Sequence, residues 1–103
     1  LGCKGAVGST YNYAAPLYHD LISAFDEGRL ADANKIQQKS IDMIRLLGKY
    51  GGIATGKSYM KLIGVDCGEF RLPIANMSME LFDLFKEEVE SLDFVSFKSL
   101  LDA

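Results

Sequence analysis

A chain of 103 residues, 49% hydrophobic and 24% charged, has the makeup of one folded unit with a modest core, which excludes a disordered polymer. Its formal net charge of -3, with 11 basic residues scattered along it, leaves no electrostatic footprint for nucleic acid. Apolar stretches are broken by charges or glycines well before the ~20 residues a membrane span needs, and no signal peptide is recognisable, so no membrane partner is expected and a cytoplasmic protein is the default reading.

The chain opens on LGCKGAVGST, without Met, polar leader or cap. Small, apolar and glycine-rich, Leu1–Thr10 reads as a β-strand or its remnant, as though a buried strand had been cut open and the chain were a fragment. Asn12 and Pro16 announce a helix, since proline is tolerated in a first turn, and Leu17, Leu21, Ile22 and Phe25 line one face of it up to a stop at Gly28. From Leu30 onward Ala33, Ile36, Ser40, Ile41, Ile44 and Leu47 recur at helical spacing, with Lys35, Gln38, Lys39 and Asp42 outside, until Gly48 or Tyr50. Tyr59, Met60, Leu62 and Ile63 predict a short helix before Gly64. The connector DCGEFRLP follows, with Pro73 fixing an extended entry toward Ala75 and Asn76. Ser78 is a helix cap, Glu80 complements the helix dipole, and Leu81, Leu84, Phe85, Val89 and Leu92 form an amphipathic face. The last segment, DFVSFKSLLDA, predicts a terminal helix capped by Ser96 and anchored by Phe94, Phe97 and Leu100.

One string tests a function class. GGIATGKS, from Gly51, satisfies the phosphate-loop pattern G-x-x-x-x-G-K-[ST], in which backbone N–H groups wrap a phosphate and a lysine neutralises it. Such a loop needs a buried strand before it, whereas SIDMIRLLGKY has the period of an amphipathic helix. Nor does a later strand end in an acidic residue that would hold magnesium. The string is therefore read as a joint between two helices, its glycines as helix stops and Lys57 as a first-turn surface residue.

No catalytic constellation emerges from the residues alone. His19 and Asp20 are adjacent on a helix and point in different directions, so His19 is read as a surface or packing residue. Tyr11, Tyr13 and Tyr18 are read as packing groups. Cys3 and Cys67 belong to no C-x-x-C or Cys/His array, so buried or semi-buried free thiols are expected, with neither a disulfide nor a metal site.

The stretch GAVGSTYNY, read as Gly5-Ala6-Val7-Gly8-Ser9-Thr10-Tyr11-Asn12, resembles the eighth strand of the N-acetylneuraminate lyases of the dihydrodipicolinate synthase superfamily. Downstream, FDEGRLADANKIQQKSIDMIRLLGKYGGIATGKSYMKLIGVDCGEFRLP resembles the family's eighth barrel helix, the long helix after it, its glycine–lysine helix and its proline loop. SLDFVSF resembles the tail of animal-type and some bacterial members. The resemblance spans essentially the whole chain but only about the last third of the family's full length.

It implies a mostly α chain, the C-terminal fragment of a (β/α)8 TIM barrel. Residues 1–28 would be the last strand and helix of the barrel and 29–103 a C-terminal helical extension. The implied reaction is reversible cleavage of N-acetylneuraminate to pyruvate and N-acetylmannosamine through a lysine Schiff base, with no metal or organic cofactor. In the family the Schiff-base lysine and the catalytic tyrosine lie on earlier strands, and neither Lys4 nor Lys57 matches, so no catalytic residue is assigned and the isolated chain is expected to be inactive. Gly8 and Ser9 do match: they would lie at the rim of the eighth strand, Gly8 allowing close approach of the sugar acid substrate and Ser9 hydrogen-bonding it. Unpaired groups along Gly5–Ser9 point to a homo-oligomer. The alternative class is a free-standing helical interaction module without enzymatic activity.

Overall fold

The computed structural model describes residues 1–101. They form four helices, α1 (Tyr11–Asp26), α2 (Leu30–Lys49), α3 (Ile53–Leu62) and α4 (Met79–Ser91), followed by a 3-10 turn at Phe94–Ser96. The four helices lie where the apolar periodicity puts them. Two stops share one device: Gly28 and Gly64 take φ of +74° and +104°, so Arg29 N–H reaches back to Ala24 O at 2.8 Å and Val65 N–H to Met60 O at 3.0 Å. A side chain would resist that left-handed turn. Ser78 caps α4 as expected, its Oγ accepting from Leu81 N–H at 3.2 Å.

Helix α1 is broken at Ala14, whose φ and ψ of -137° and 33° are not helical. Pro16 lies two residues on, carries no N–H, and its ring crowds the carbonyl of the preceding turn. The polar groups freed by the break are taken up by Ser99: its N–H donates to Tyr13 O at 2.8 Å, and its Oγ accepts from Ala15 N–H at 3.0 Å.

The core is aromatic. Tyr13 stacks on Tyr59 at 4.5 Å between centroids, and Phe85 meets Tyr59 edge-on at 4.8 Å. Phe94 and Phe97 close the cluster from the far side, and Met43 fills the floor from α2. Tyr13, Met43, Tyr59 and Phe85 are each no more than 1% exposed. The Tyr59 hydroxyl donates to Met43 O at 2.8 Å, so the one polar atom of its ring is satisfied inside the core.

Four expectations need correction. Leu1–Ser9 is not a strand: it has no ladder partner among the described residues, and a lone extended segment cannot satisfy its own backbone. Ile22 and Phe25 of α1, Ile44 of α2, and Leu81 and Leu84 of α4, all expected on apolar helix faces, are exposed, because no element covers those sides of the helices. The terminal helix is only the 3-10 turn. Asp93 before it adopts the left-handed conformation at φ 57°, which reverses the chain after α4. Ser96 is accordingly the last residue of that turn, its Oγ donating to Asp93 O, and Leu100 is exposed while Phe94 and Phe97 are buried. The end of the predicted helix, residues 102–103, lies outside the described residues. Finally, Cys3 and Cys67 are free, as expected, but exposed rather than buried.

Candidate functional site

Gly8 and Ser9 form the turn that leads into α1, their carbonyls accepting from Tyr11 N–H at 3.3 Å and Asn12 N–H at 3.2 Å. A Cβ added to Gly8 would stand 3.1 Å from Cζ of Tyr11. Within this chain, then, the close approach at Gly8 is made by the Tyr11 ring. That ring leans edge-on against Tyr18 at 4.6 Å, and the Tyr18 hydroxyl shares a 2.8 Å hydrogen bond with Ser40 Oγ on α2. Two aromatic rings thus brace the turn against the helix behind it.

Ser9 is exposed and opens on a cleft of about 350 Å³. It is lined by Ser9, Asn12 and Tyr13 together with Lys57 and Met60 of α3 and Phe70 of the following loop. The Tyr13 hydroxyl is buried without a hydrogen-bond partner among the described residues. Burial, helped by the neighbouring Tyr18, pushes this phenol above its ordinary range. Burial raises Tyr59 in the same way.

The phosphate-loop string is resolved by its flanks. Gly51 and Gly52, both at positive φ, join α2 to α3, while Gly56, Lys57 and Ser58 lie inside α3. Gly56 is therefore not a stop and Lys57 is not a first-turn surface residue. Lys57 is half-buried, its Nζ donating to Glu69 O at 2.9 Å and lying 4.4 Å from the centre of the Phe70 ring. The cation that a phosphate would need is already engaged by the chain itself. His19 and Asp20 are both exposed. Among the described residues no three His, Cys, Asp or Glu side chains gather as a metal site, and no helix is long and apolar enough to cross a membrane.

Of the residues that line the cleft, the sequence singles out Ser9 as a candidate for substrate contact. Asn12 and Tyr13 carry a usable signal, since residues three and four after Ser9 fall on the same side of a starting helix. Lys57 and Phe70 carry none, because their meeting depends on how a loop folds back.

Residues 1–92 match the Dihydrodipicolinate synthetase family. Human N-acetylneuraminate lyase is 36% identical over 106 residues, covering 99% of this chain and 32% of the human protein. The solved structure of Proteus mirabilis N-acetylneuraminate lyase superposes with a TM-score of 0.86 at 41% identity, over 90% of this chain and 32% of that one. That of the Aliivibrio salmonicida enzyme gives 0.85 at 39%, over 90% and 31%. The chain thus spans about a third of the length of the proteins it matches. Those structures are TIM-barrel lyases, and the mostly α architecture is that of a C-terminal fragment of such a barrel.

Proposed function

Because the chain belongs to the dihydrodipicolinate synthetase family, we propose that it is the C-terminal part of an N-acetylneuraminate lyase, cleaving N-acetylneuraminate to pyruvate and N-acetylmannosamine in the cytoplasm as a homo-oligomer. The observation that carries this reading is the likeness to lyases over nearly the whole chain, at 36% identity to one and a TM-score of 0.86 to another. In the intact enzyme residues 1–28 would supply the last strand and helix of the barrel, Leu1–Ser9 gaining there the ladder partners it lacks in this chain, and 29–103 the helical extension.

The chemistry assigned to the intact enzyme is that of a class I aldolase. A lysine outside this chain forms a Schiff base with the 2-keto carbon, the imine accepts the electron pair of the breaking carbon–carbon bond, and a tyrosine, also outside it, moves the proton. No metal or organic cofactor takes part. This chain's contribution is at the rim. Gly8 keeps the turn close to the Tyr11 ring and leaves room for substrate, and the Ser9 hydroxyl donates to an oxygen of the sugar acid.

The test is made in the intact enzyme that carries this segment. Ser9→Ala removes one neutral hydrogen bond, about 0.5–1.5 kcal/mol, and so weakens substrate binding up to roughly tenfold. Borohydride trapping of pyruvate on the enzyme is unchanged, since the Schiff base belongs to another residue. The 103-residue chain alone traps no pyruvate. A pyruvate adduct on one of its own lysines, or Ser9→Ala kinetics equal to the parent's with a lowered melting temperature, refutes the assignment.

A further inference from the structure

The loop between α3 and α4 has little to hold it by burial. Asp66–Glu69 and Arg71–Pro73 are exposed, and only Val65, Phe70, Ile74 and Met77 are half-buried. It is held instead by side-chain hooks. Asn76 pairs with both backbone groups of Phe70, Oδ1 accepting from Phe70 N–H at 2.7 Å and Nδ2 donating to Phe70 O at 3.1 Å. Asp66 Oδ1 accepts from Gly68 N–H at 2.9 Å. Two side chains reach across from α3: Ser58 Oγ donates to Met77 Sδ at 3.7 Å near the far end of the loop, and the Lys57 ammonium donates to Glu69 O and faces the Phe70 ring at its middle. A cation within ~6 Å of a ring centre is attracted by its π face, so the lysine fixes both the path of the loop and the place of the ring.

Phe70 also lines the cleft that opens at Ser9. From this juxtaposition we propose that Lys57 is a positioning residue, which holds Phe70 in the cleft it lines with Ser9 and so sets the affinity for the sugar part of the substrate. The inference rests on the lyase reading and deepens it. The lysine of the phosphate-loop look-alike neutralises a backbone carbonyl and a ring face of its own chain. It touches no reacting atom, and its role is expressed entirely through Phe70.

Lys57→Met keeps the length and the apolar stem of the side chain and removes the ammonium. In the 103-residue chain it should speed amide exchange at Gly68–Asn76 by roughly tenfold while leaving the amides around Phe85 unchanged, because opening a locally held segment costs less than global unfolding. Lys57→Arg, which keeps charge and donors, should hold the loop as the parent does. In the intact enzyme Lys57→Met and Phe70→Leu should each raise KM for N-acetylneuraminate by about fivefold, with kcat and the KM for pyruvate in the reverse direction within about twofold. Lys57→Arg should restore the parent KM. Unchanged loop exchange in Lys57→Met overturns the clamp. A freed loop with unchanged KM, or equal rises in KM for sugar acid and pyruvate, overturns the role assigned to Phe70. An unvaried enzyme that traps no pyruvate sinks the lyase reading and the substrate half of the inference with it, while the exchange data still decide the clamp.

Discussion

The aromatic cluster around Tyr59 and the opening segment Leu1–Val7 are both rich in apolar atoms, yet they have opposite fates. Tyr59 is 0% exposed and touches rings from α1, α4 and the 3-10 turn, while Val7 is fully exposed and every residue before Gly8 is open to solvent. The difference is one of backbone. A helix satisfies its own N–H and C=O groups and needs neighbours only for one face, whereas a strand needs neighbours for every polar group it buries. These helices can therefore pack among themselves, while the glycine-rich segment has no ladder partner among the described residues. The contrast also separates the two kinds of contribution: the helices hold the rim turn in place, and the segment before it is the part that would join a barrel.

The contrast is broken most forcefully at its centre. Tyr59→Ala should cost about 3–5 kcal/mol in denaturant unfolding of the chain, the usual range for emptying a buried aromatic site. If it costs under about 1 kcal/mol, the cluster is not the core that the burial figures describe. Next in size is an alkaline transition. Burial raises the phenols of Tyr13 and Tyr59 above the ordinary 10.0, so the folded state retains protons that the unfolded chain gives up. The stability this supplies is complete below pH 10 and declines as pH climbs past the unfolded value toward the folded one. Thermal unfolding followed from pH 8 to 11 should show that fall, and Tyr59→Phe should make it shallower.

A smaller effect of opposite sign belongs to the surface. Glu88 accepts hydrogen bonds from Lys49 and Tyr50, which hold its carboxyl below the ordinary range. The stabilisation is present above the usual carboxylate value and is lost as pH falls through the lowered one. Glu88→Gln should thus unfold slightly more easily than the parent at neutral pH, with the difference shrinking as pH falls below the ordinary carboxylate range. The smallest effect lies at the other pole: Val7→Ala should change stability of the chain by less than about 0.5 kcal/mol, as expected for a side chain with no contacts. A large loss there would mean that Leu1–Val7 is packed in solution, and the contrast between the two regions would collapse.

How much of this was legible follows the same division. The four helices were visible because burial on one face writes a 3.6-residue period into the sequence, and Ser78 and the glycine stops mark ends by local chemistry. Ser9 and Asn12 are singled out by the resemblance, whereas Tyr13 reads only as a packing group, and its place in the lining of the cleft comes from the fold. Pro16 was read as a helix start, but the break at Ala14 was missed, because proline in a first turn is tolerated and only the partner at Ser99 makes the kink stable. Met43 was absent from the predicted buried face although it is 0% exposed, since the alignment of Ile41 and Ile44 offered a competing stripe. The contacts of Lys57 and the exposure of Cys67 depend on a loop without periodicity, and no one-dimensional pattern records where such a loop returns.

The hydrogen bonds between Ser99 and the break in α1 span 84 residues of sequence. On a ribosome, the first helix of this chain is made long before the residue that completes it. Until Ser99 is available, the Ala15 amide and the Tyr13 carbonyl must be satisfied by water or by a straighter helix. The break in α1 is therefore completed only after the other three helices of the described residues have been made.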